Sequence, residues 1–548
     1  MPADFAAAQV EASPHVTIIL APSVERTWSD IDLLYDGQWH DSDEVQEEID
    51  RIHDLVPELV DMEVIGQSFQ GKNITSMRIT NELYPGQKAK TLVVGPHHAR
   101  EQICVEMALR FTLYLLNSYG VDETITDFVD TVEIFVIPTV NPDGLDGVVN
   151  GGNHWLRKNL RPFDNDGDGL LDEDPIEDVD GDGHITAYDL YTKTGPGGSL
   201  EWQYTYFEGI DNDGDGLVNE DEIGLVDLNR NYEVGWGNDQ ESSSDPLAQT
   251  YRGESSFSEP ETVAFRDFAL QHRFAMAYAL HSGINTTYFP TTYGNNWVEP
   301  SLYFSIVDDL RDILPPSFNE IYHLAEAQKS RIMTAPGGYW GDWMYSTRDT
   351  LVPITFELYH NGSVDGPGVV TVIEDNSTHQ IVELMPTFIY DYFAPSESRI
   401  NDLWEEIRGG FDYLLEMTPR LEVSSATVSG GVAHGDGVTL GFTMTCHGHR
   451  LGTIDQVELI GASDLSFGTW APLDADNTVS TTATFPLPFD LVDMNYTIKI
   501  GNEYAGYAIL EISAGDFQTA DYTLQIATGI GILSIVVVVV LIVRRTRT

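Results

Sequence analysis

Short apolar runs rich in β-branched residues recur along the first 420 residues, separated by polar and amphipathic stretches. Four of these runs are Thr91 to Val94, Val226 to Leu228, Phe274 to Leu280 and Ile354 to Phe356. Val45 to Leu55 has instead the apolar spacing of a helix that buries one face. Strand-like runs combined with helical stretches predict an α/β fold, in which helices cover a sheet.

The pattern changes after Leu421, where alternating apolar and polar positions broken by Gly, Asn and Asp continue to about Ser513. Such short strands predict an antiparallel β-sandwich over residues 420–515. After a linker at 516–525, the uncharged run of 18 residues at 526–543 is long enough for a transmembrane helix. The basic tail at 544–548 favours a cytoplasmic C-terminus, so we expect a single-pass cell-membrane protein whose body lies outside the cell. Residues 1–38 are expected to form an N-terminal extension without a recognisable signal peptide.

Polar side chains come after each of the four runs. His98 comes shortly after the first run, Asn229 directly after the second, His281 after the third and Glu357 after the fourth. The ligand crevice of an open α/β sheet lies beyond the carboxyl ends of its strands, so these groups are expected to meet there. Two imidazoles and the carboxylate of Glu101 can hold one catalytic zinc and leave a position open for water.

At this point the chain resembles the zinc metallocarboxypeptidases of the carboxypeptidase A and B family. The resemblance extends from Trp39 to Pro419 and rests on the order and spacing of several motifs. They are IGQSFQGKNITSMRIT, PHHARE, NPDG, WLRKN, DLNRN, LHSG, GGYWGDW and TFEL. It implies a catalytic domain at residues 39–419 whose mixed sheet, of the eight-stranded type, is flanked by helices.

The resemblance also implies a role for each matching residue. Zinc would be bound by His98, Glu101 and His281, and Asp227 would orient a zinc-bound imidazole from behind. Catalysis would rest on Glu357 as the general base and on Arg157 as the group that stabilises the oxyanion. Substrate binding would use Asn229 and Arg230 for the terminal carboxylate and Arg100 for the next subsite inward.

Three positions need separate comment. His97 is offset from the face shared by His98 and Glu101 and is expected to be a neighbour rather than a ligand. The tyrosine that digestive-type relatives place before the paired glycines is replaced by Met333, or by Thr334 when counted back from Asp342-Trp343, unless Tyr339 or Tyr345 reaches in. The extra residue in GGYWGDW leaves both Trp340 and Gly341 as occupants of the specificity-pocket floor.

The acidic segment at residues 160–225 is a long insert relative to the family pattern and contains loops with the ligand spacing of EF-hand calcium sites. Two loops, at 178–189 and 211–222, have oxygen ligands at positions 1, 3 and 5 and a carboxylate at 12, whereas the loop at 164–175 ends in proline. We therefore expect two or three structural calcium ions. The predicted ligands are Asp164, Asp166, Asp168, Asp178, Asp180, Asp182, Asp189, Asp211, Asp213, Asp215 and Glu222.

The charge composition indicates the kind of environment and partner that the protein has. The chain has 87 acidic and 28 basic residues, giving a formal net charge of −59. This charge argues against nucleic acid as a partner and fits a high-salt environment, where self-repulsion is screened. The sequence thus predicts a calcium-stabilised zinc carboxypeptidase at the cell surface that removes C-terminal residues from peptides or proteins with a free C-terminal carboxylate. The alternatives are a cell-wall or modified-peptide hydrolase with the same zinc centre, and a calcium-dependent surface binding protein with a vestigial site.

Overall fold

The computed structural model describes residues 13–514 apart from several gaps. The gaps are 21, 31, 85, 180, 182–184, 186, 194–199, 240, 285, 293–295, 298–299, 316–336, 362–370, 376–379, 385–391, 449–456, 462–464, 471–477, 489–490 and 492–495. Met333 and Thr334 of the altered tyrosine position, the linker at 516–525, the predicted transmembrane helix at 526–543 and the tail at 544–548 lie outside the described residues. Within the described part, no helix is both long and apolar enough to cross a membrane.

A mixed sheet forms the centre of the larger domain. Its strands are β2 (Val60–Gln67), β3 (Asn73–Ile79), β4 (Ala89–Val94), β5 (Val132–Ile137), β8 (Met276–His281), β9 (Thr286–Tyr288) and β12 (Val352–Glu357). Their spatial order is β2-β3-β5-β4-β8-β12-β9. The four inner strands β5, β4, β8 and β12 are parallel, and the outer strands are antiparallel to their neighbours. The predicted mixed α/β sheet is confirmed, but the described residues contain seven of its strands rather than eight.

Helices cover both faces of this sheet. They are α1 (Ser42–Leu55), α2 (Ile103–Ser118), α3 (Glu123–Thr131), α4 (Pro142–Val149), α5 (Pro260–Gln271), α6 (Pro300–Ile313), α7 (Trp340–Ser346) and α8 (Ile400–Glu416). Successive residues of β4 enter opposite cores, because strand side chains alternate between the two faces. Val93 packs in the core formed with α1, α2, α3, α6 and α8, whereas Leu92 and Val94 pack in the core formed with α5 and α7. The sequence of β4 is therefore a continuous apolar run, as is typical of parallel strands that are buried on both faces.

The predicted helix at Val45 to Leu55 is confirmed and begins slightly earlier, as α1. Asp41 caps it by accepting hydrogen bonds from the backbone N–H groups of Asp43 and Glu44, and the Glu44 side chain accepts one from the Asp41 N–H in return. This reciprocal capping box satisfies donors that have no partner within the first turn. The expected strand at Val226 to Leu228 is wrong: the segment is extended and leads into a short 3-10 helix, Leu228–Arg230.

The C-terminal region forms two antiparallel sheets that share one apolar core. The strands are β1 (Pro14–Ile19), β15 (Arg420–Gly430), β16 (Gly437–His447), β17 (Val457–Gly461), β18 (Leu465–Trp470), β19 (Thr478–Pro486), β20 (Tyr496–Asn502) and β21 (Gly506–Ala514). One sheet has the order β1-β21-β20-β17-β18, and the other β15-β16-β19. Part of the predicted N-terminal extension thus joins this domain as an edge strand, paired with β21.

The acidic insert contains a hairpin that the spacing of its carboxylates did not predict. Its strands, β6 (Ala187–Lys193) and β7 (Leu200–Phe207), form a four-stranded sheet with β13 (Thr371–Asp375) and β14 (Gln380–Leu384). A short pair, β10 (Thr291–Thr292) and β11 (Asn296–Trp297), lies after β9. Because Asp189 lies within β6, the segment at 178–189 ends in a strand and not in the helix that comes after an EF-hand loop.

Candidate metal and substrate site

The candidate site lies at the carboxyl ends of three adjacent parallel strands. His98 comes after β4, while His281 and Glu357 are the last residues of β8 and β12. His281 and Glu357 are direct partners in the register of β8 and β12. Parallel strands end at the same edge of the sheet, so three segments far apart in sequence deliver their polar groups to one place.

The predicted zinc ligands are buried together. One Glu101 carboxylate oxygen lies 2.7 Å from His98 Nδ1, the other lies 2.7 Å from His281 Nδ1, and the two imidazole Nδ1 atoms are 3.2 Å apart. Burial raises the pKa of Glu101, but the two imidazoles outweigh it and hold that pKa below its usual range. Two imidazole nitrogens and a carboxylate that can reach one point are the donor set of a catalytic zinc site.

Asp227 connects the zinc-ligand group to Arg157. It is fully buried, and its Oδ2 accepts a 2.9 Å hydrogen bond from Arg157 Nε and lies 2.9 Å from Arg157 Nη2 as an ion pair. Its Oδ1 lies 3.3 Å from His98 Nε2, the ring nitrogen that faces away from the other ligands. Burial raises the pKa of Asp227, but the charges of Arg157 and Arg230 outweigh it and hold that pKa well below its usual range. Asp227 therefore holds the guanidinium by a hydrogen bond and faces the His98 ring at ion-pair distance.

Glu357 lines the same cavity as this group. Its Oε2 is buried and has no hydrogen-bond partner among the described residues. Burial and the nearby charge of Glu101 raise the pKa of Glu357 well above its usual range, while the Arg157 guanidinium lowers it. A cation held by His98, Glu101 and His281 would lower it further, because it adds positive charge close to the carboxylate.

Asn229 and Arg230 line the cavity beside the zinc-ligand group. Asn229 Nδ2 lies 3.3 Å from His281 Nε2, and its Oδ1 accepts a 3.1 Å hydrogen bond from the Trp340 N–H. Arg230 donates from Nε to the Glu241 carbonyl and from Nη1 to the Asn229 carbonyl, at 2.6 and 2.9 Å. Arg230 Nη2 makes no hydrogen bond to a described residue, so one edge of the guanidinium remains available to an anion.

The cavity has a volume of about 390 Å³ and includes residues that the sequence did not single out. These are Glu241, Ser282, Gly283, Ile284, Tyr288, Phe289, Thr355, Tyr392 and Phe393. Arg100 is not among the lining residues; its guanidinium lies 4.2 Å from the centre of the Phe393 ring, which does line the cavity. Thr355 could have been predicted from the sequence, because a residue two positions before Glu357 on a strand faces the same side of the sheet as Glu357.

Tyr339 also lines the cavity, and its hydroxyl is hydrogen-bonded to that of Thr355. Neither candidate for the pocket floor lines the cavity. Trp340 is fully buried against the His97 ring, and a side chain at Gly341 would meet the Tyr339 ring at 2.7 Å. Tyr339 therefore reaches into the cavity, whereas Tyr345 is not among its lining residues.

His97 is outside the zinc-ligand group, as predicted. Its Nε2 lies 2.8 Å from the Tyr232 hydroxyl, and its ring stacks on His281 with an interplanar angle of 7°. Burial and the neighbouring His281 and His98 rings hold the pKa of His97 well below its ordinary value. Its role in the structure is to pack behind His281.

The acidic insert brings two of the predicted calcium-ligand sets together. Asp164, Asp166 and Asp168 form one group, and Asp211, Asp213 and Asp215 form the other. Asp178 accepts a hydrogen bond from the Gly181 N–H, but Asp180 and Asp182 lie outside the described residues. Glu222 is not part of any acidic group in the described part of the chain; burial raises its pKa, while the charge of Lys158 lowers it.

Other acids of these loops are close to one another. A hydrogen-bond contact with Asp221 and partial desolvation raise the pKa of Glu173 to about 7. Desolvation and a contact with Asp174 do the same for Glu220, whose pKa is also raised to about 7. The acids at the ends of the two loops therefore repel one another strongly without a cation.

The model of the zinc carboxypeptidase family, peptidase M14, matches residues 45–409, which is more than half of the chain. The chain belongs to the zinc carboxypeptidase family. Zinc is the metal expected for its members, and the group of His98, Glu101 and His281 fits it.

Curated relatives agree with this membership at low identity. A zinc carboxypeptidase of Simulium vittatum is 26% identical over 59% of this chain and 86% of the relative, and mouse carboxypeptidase A2 is 24% identical over 60% and 64%. Two others are 32% identical over shorter stretches: a zinc carboxypeptidase of Saccharothrix mutabilis subsp. capreolus over 23% of this chain, and the inactive metallocarboxypeptidase ECM14 of Saccharomyces cerevisiae over 24%. This chain covers only 29% and 31% of the length of those two. The solved carboxypeptidase A of Helicoverpa armigera is 20% identical over 70% of this chain and 75% of its own, with a TM-score of 0.42.

Proposed function

We propose that this protein is an active metallocarboxypeptidase that removes single C-terminal residues from peptides. The observation that carries this proposal is the buried Glu357 Oε2, which has no hydrogen-bond partner in the described part of the chain and shares a cavity with the zinc-ligand group. A buried carboxylate oxygen without a donor is costly unless it acts on something bound in the cavity. A water molecule about to lose a proton would satisfy it.

In this mechanism Glu357 accepts a proton from the attacking water and later donates it to the leaving amine. Zinc, when bound, would lower the pKa of that water and polarise the scissile carbonyl. The Arg157 guanidinium stabilises the negative charge that develops on the carbonyl oxygen, since Asp227 fixes two of its nitrogens and leaves Nη1 without a partner among the described residues.

The same cavity can bind the end of a peptide. Arg230 offers Nη2 to a terminal carboxylate, and its other nitrogens are held by backbone carbonyls. A guanidinium fixed in this way loses little side-chain entropy when it binds an anion. Tyr339 and Thr355 add uncharged polar surface to the lining of this cavity, and Glu241 adds a carboxylate.

The decisive experiment compares the wild-type protein with Glu357→Gln, full length and in detergent, on peptides with varied C-terminal residues read by mass spectrometry. We expect wild type to release single C-terminal residues and the variant to lose activity by at least about 100-fold, the lower range for a positioned base. Zinc content, measured by elemental analysis, should be equal in the two proteins. Absence of cleavage by wild-type protein that carries zinc would refute the proposal, as would full activity of the variant.

We further propose that the two aspartate groups of the insert bind calcium, one ion in each loop. Carboxylate oxygens at this density are the ligands that calcium prefers, and the loops contain glycines at the turns that such sites need. The loops leave the domain between Asn159 and Leu225, which are hydrogen-bonded to each other directly beside Arg157 and Asp227. Calcium would therefore stiffen the segments that carry these catalytic groups.

Location at the cell surface is also a proposal. It is supported by the apolar run at 526–543 and the basic tail at 544–548, and the excess of acidic residues supports a high-salt setting. Protease treatment of intact cells tests the orientation: an outward body is digested, whereas a body on the inner side is protected.

A further inference from the structure

The loops at 164–174 and 211–221 are two copies of one structural repeat. Their sequences, DNDGDGLLDED and DNDGDGLVNED, are identical at 9 of 11 positions. The backbones take the same path: Gly167 and Gly214 have φ of 88° and 87°, and Asp172 and Asn219 adopt φ of 55° and 61°. Positive φ is rare for residues other than glycine, so its occurrence at the same position in both loops marks a common fold.

The two repeats also bind each other reciprocally. The last residue of the second repeat, Asp221, accepts a 2.7 Å hydrogen bond from the Asn165 N–H of the first. The last residue of the first repeat, Asp174, accepts a 2.5 Å hydrogen bond from the Asn212 N–H of the second. The equivalent aspartates therefore exchange equivalent bonds, and the loops form one unit with an approximate twofold relation.

Two further groups of acids lie where the two repeats meet, and both include Asp213; one of them is completed by Asp168 and Glu173 of the first repeat. Asp174 of the first repeat lies with Asp213 and Glu220 of the second, with one carboxylate oxygen of each within 4.8 Å of the others. Asp174 is completely buried, and its Oδ2 has no hydrogen-bond partner among the described residues. Glu220 Oε2 is also buried without such a partner.

Three carboxylates in this arrangement would be strongly unfavourable alone. Like charges destabilise one another, and a buried oxygen without a donor loses its hydration without compensation. A divalent cation satisfies both oxygens and neutralises the charge. The hard oxygen donors favour calcium, which tolerates the irregular geometry of a site shared between loops.

We propose that a calcium ion bridges the two repeats, held by Asp174, Asp213 and Glu220, in addition to any ion within each loop. This site differs from an EF-hand, because the closing carboxylate comes from the other repeat and not from position 12 of the same loop. It assigns a ligand role to Asp174 and Glu220, and it does not depend on the catalytic proposal.

The test counts calcium ions bound to the full-length protein in detergent, after removal of metals, by native mass spectrometry and by calorimetric titration. The variants are Glu220→Gln and Asp174→Asn, which keep the shape of each side chain and remove its charge. Glu222→Gln, two residues further along the same loop and outside the acidic group, is the matched control. Circular dichroism checks that each variant is folded.

We expect Glu220→Gln and Asp174→Asn each to bind one calcium ion fewer than wild type, and Glu222→Gln to bind the same number. An unchanged number and affinity in folded Glu220→Gln would overturn the bridging site while leaving calcium within the loops intact. Loss of an ion in Glu222→Gln alone would favour independent EF-hand closure and also overturn it. Wild-type protein that binds no calcium would overturn both proposals, without bearing on peptide cleavage.

Discussion

A methyl group added at Gly338 should displace the backbone of Arg230, the arginine proposed to bind the substrate carboxylate. Gly338 has φ of +77°, and a Cβ added there would lie 2.5 Å from the carbonyl carbon of Arg230 and closer still to its oxygen. The segment cannot simply move away, because Gly338 donates to the Val234 carbonyl and accepts from the Tyr232 N–H. Gly338→Ala must therefore displace the backbone of Arg230.

A matched control separates the two parts of the expected loss of unfolding free energy, which are backbone strain and overpacking. Gly71 has φ of +85° but no atom within 4 Å of an added Cβ, so Gly71→Ala measures the backbone strain alone. That strain costs about 1–2 kcal/mol, partly offset by the lower entropy of the unfolded chain. Gly338→Ala adds the cost of overpacking, about 1–3 kcal/mol, so the two costs together are roughly 2–5 kcal/mol before that offset.

Two assays test whether Gly338→Ala is affected by overpacking against Arg230 in addition to backbone strain. Chemical denaturation should show a loss of unfolding free energy that is larger for Gly338→Ala than for Gly71→Ala by about 1–3 kcal/mol. Peptide hydrolysis should show kcat/KM reduced by up to about 100-fold in Gly338→Ala, because a displacement near 1 Å is enough to misplace a bound substrate. Equal stability of the two variants, together with unchanged hydrolysis, would refute the assigned contact between Gly338 and Arg230.

Two further substitutions test other contacts. Asp227→Asn leaves the Arg157 guanidinium without its buried counter-charge and weakens the orientation of His98. We therefore expect zinc affinity, measured by chelator competition, to fall about 10–100-fold. An unchanged zinc affinity would contradict this role of Asp227. For His40, burial lowers its pKa, but its hydrogen bond to Glu106 and the charge of Glu106 raise it to about 9. A raised folded-state pKa stabilises the fold fully below pH 6.5, the ordinary value, and this contribution is lost as the pH rises through 9. From pH 6 to pH 10, the unfolding free energy of wild type should therefore fall by at most about 3 kcal/mol through this group, and His40→Gln should not show that fall. An equal fall in both proteins, measured by chemical denaturation, would exclude His40 as its source.

Much of the site could be predicted from the sequence because its residues occupy ends of strands. His281 and Glu357 end buried apolar runs, and His98 comes after one, beyond a short turn. Runs of that kind are locally encoded, and the residues that come directly after parallel strands gather at the carboxyl edge of the sheet. The strand predicted before Asn229 was wrong, since its apolar residues are buried in extended chain without forming a strand.

The floor of the cavity could not be predicted in the same way. Counting residues from the paired glycines left Trp340 and Gly341 as candidates, but neither lines the cavity, whereas Tyr339 and Thr355 do. Which side of α7 faces the cavity depends on how that helix packs against β12, and no local pattern encodes it. Tyr392 and Phe393 reach the cavity from a distant segment for the same reason.

The sequence by itself determined the α/β class, the choice of His98, Glu101 and His281 as candidate zinc ligands, and the acidic character of the insert. Each of these follows from local periodicity or from the spacing of chemically distinctive residues. Tertiary structure alone decided that Asp227 joins His98 to Arg157. It also decided that Asp174 of one acidic repeat lies with Asp213 and Glu220 of the other. The physical reason is that carboxylates distant in the chain meet only after the core has fixed the path of the segments that carry them.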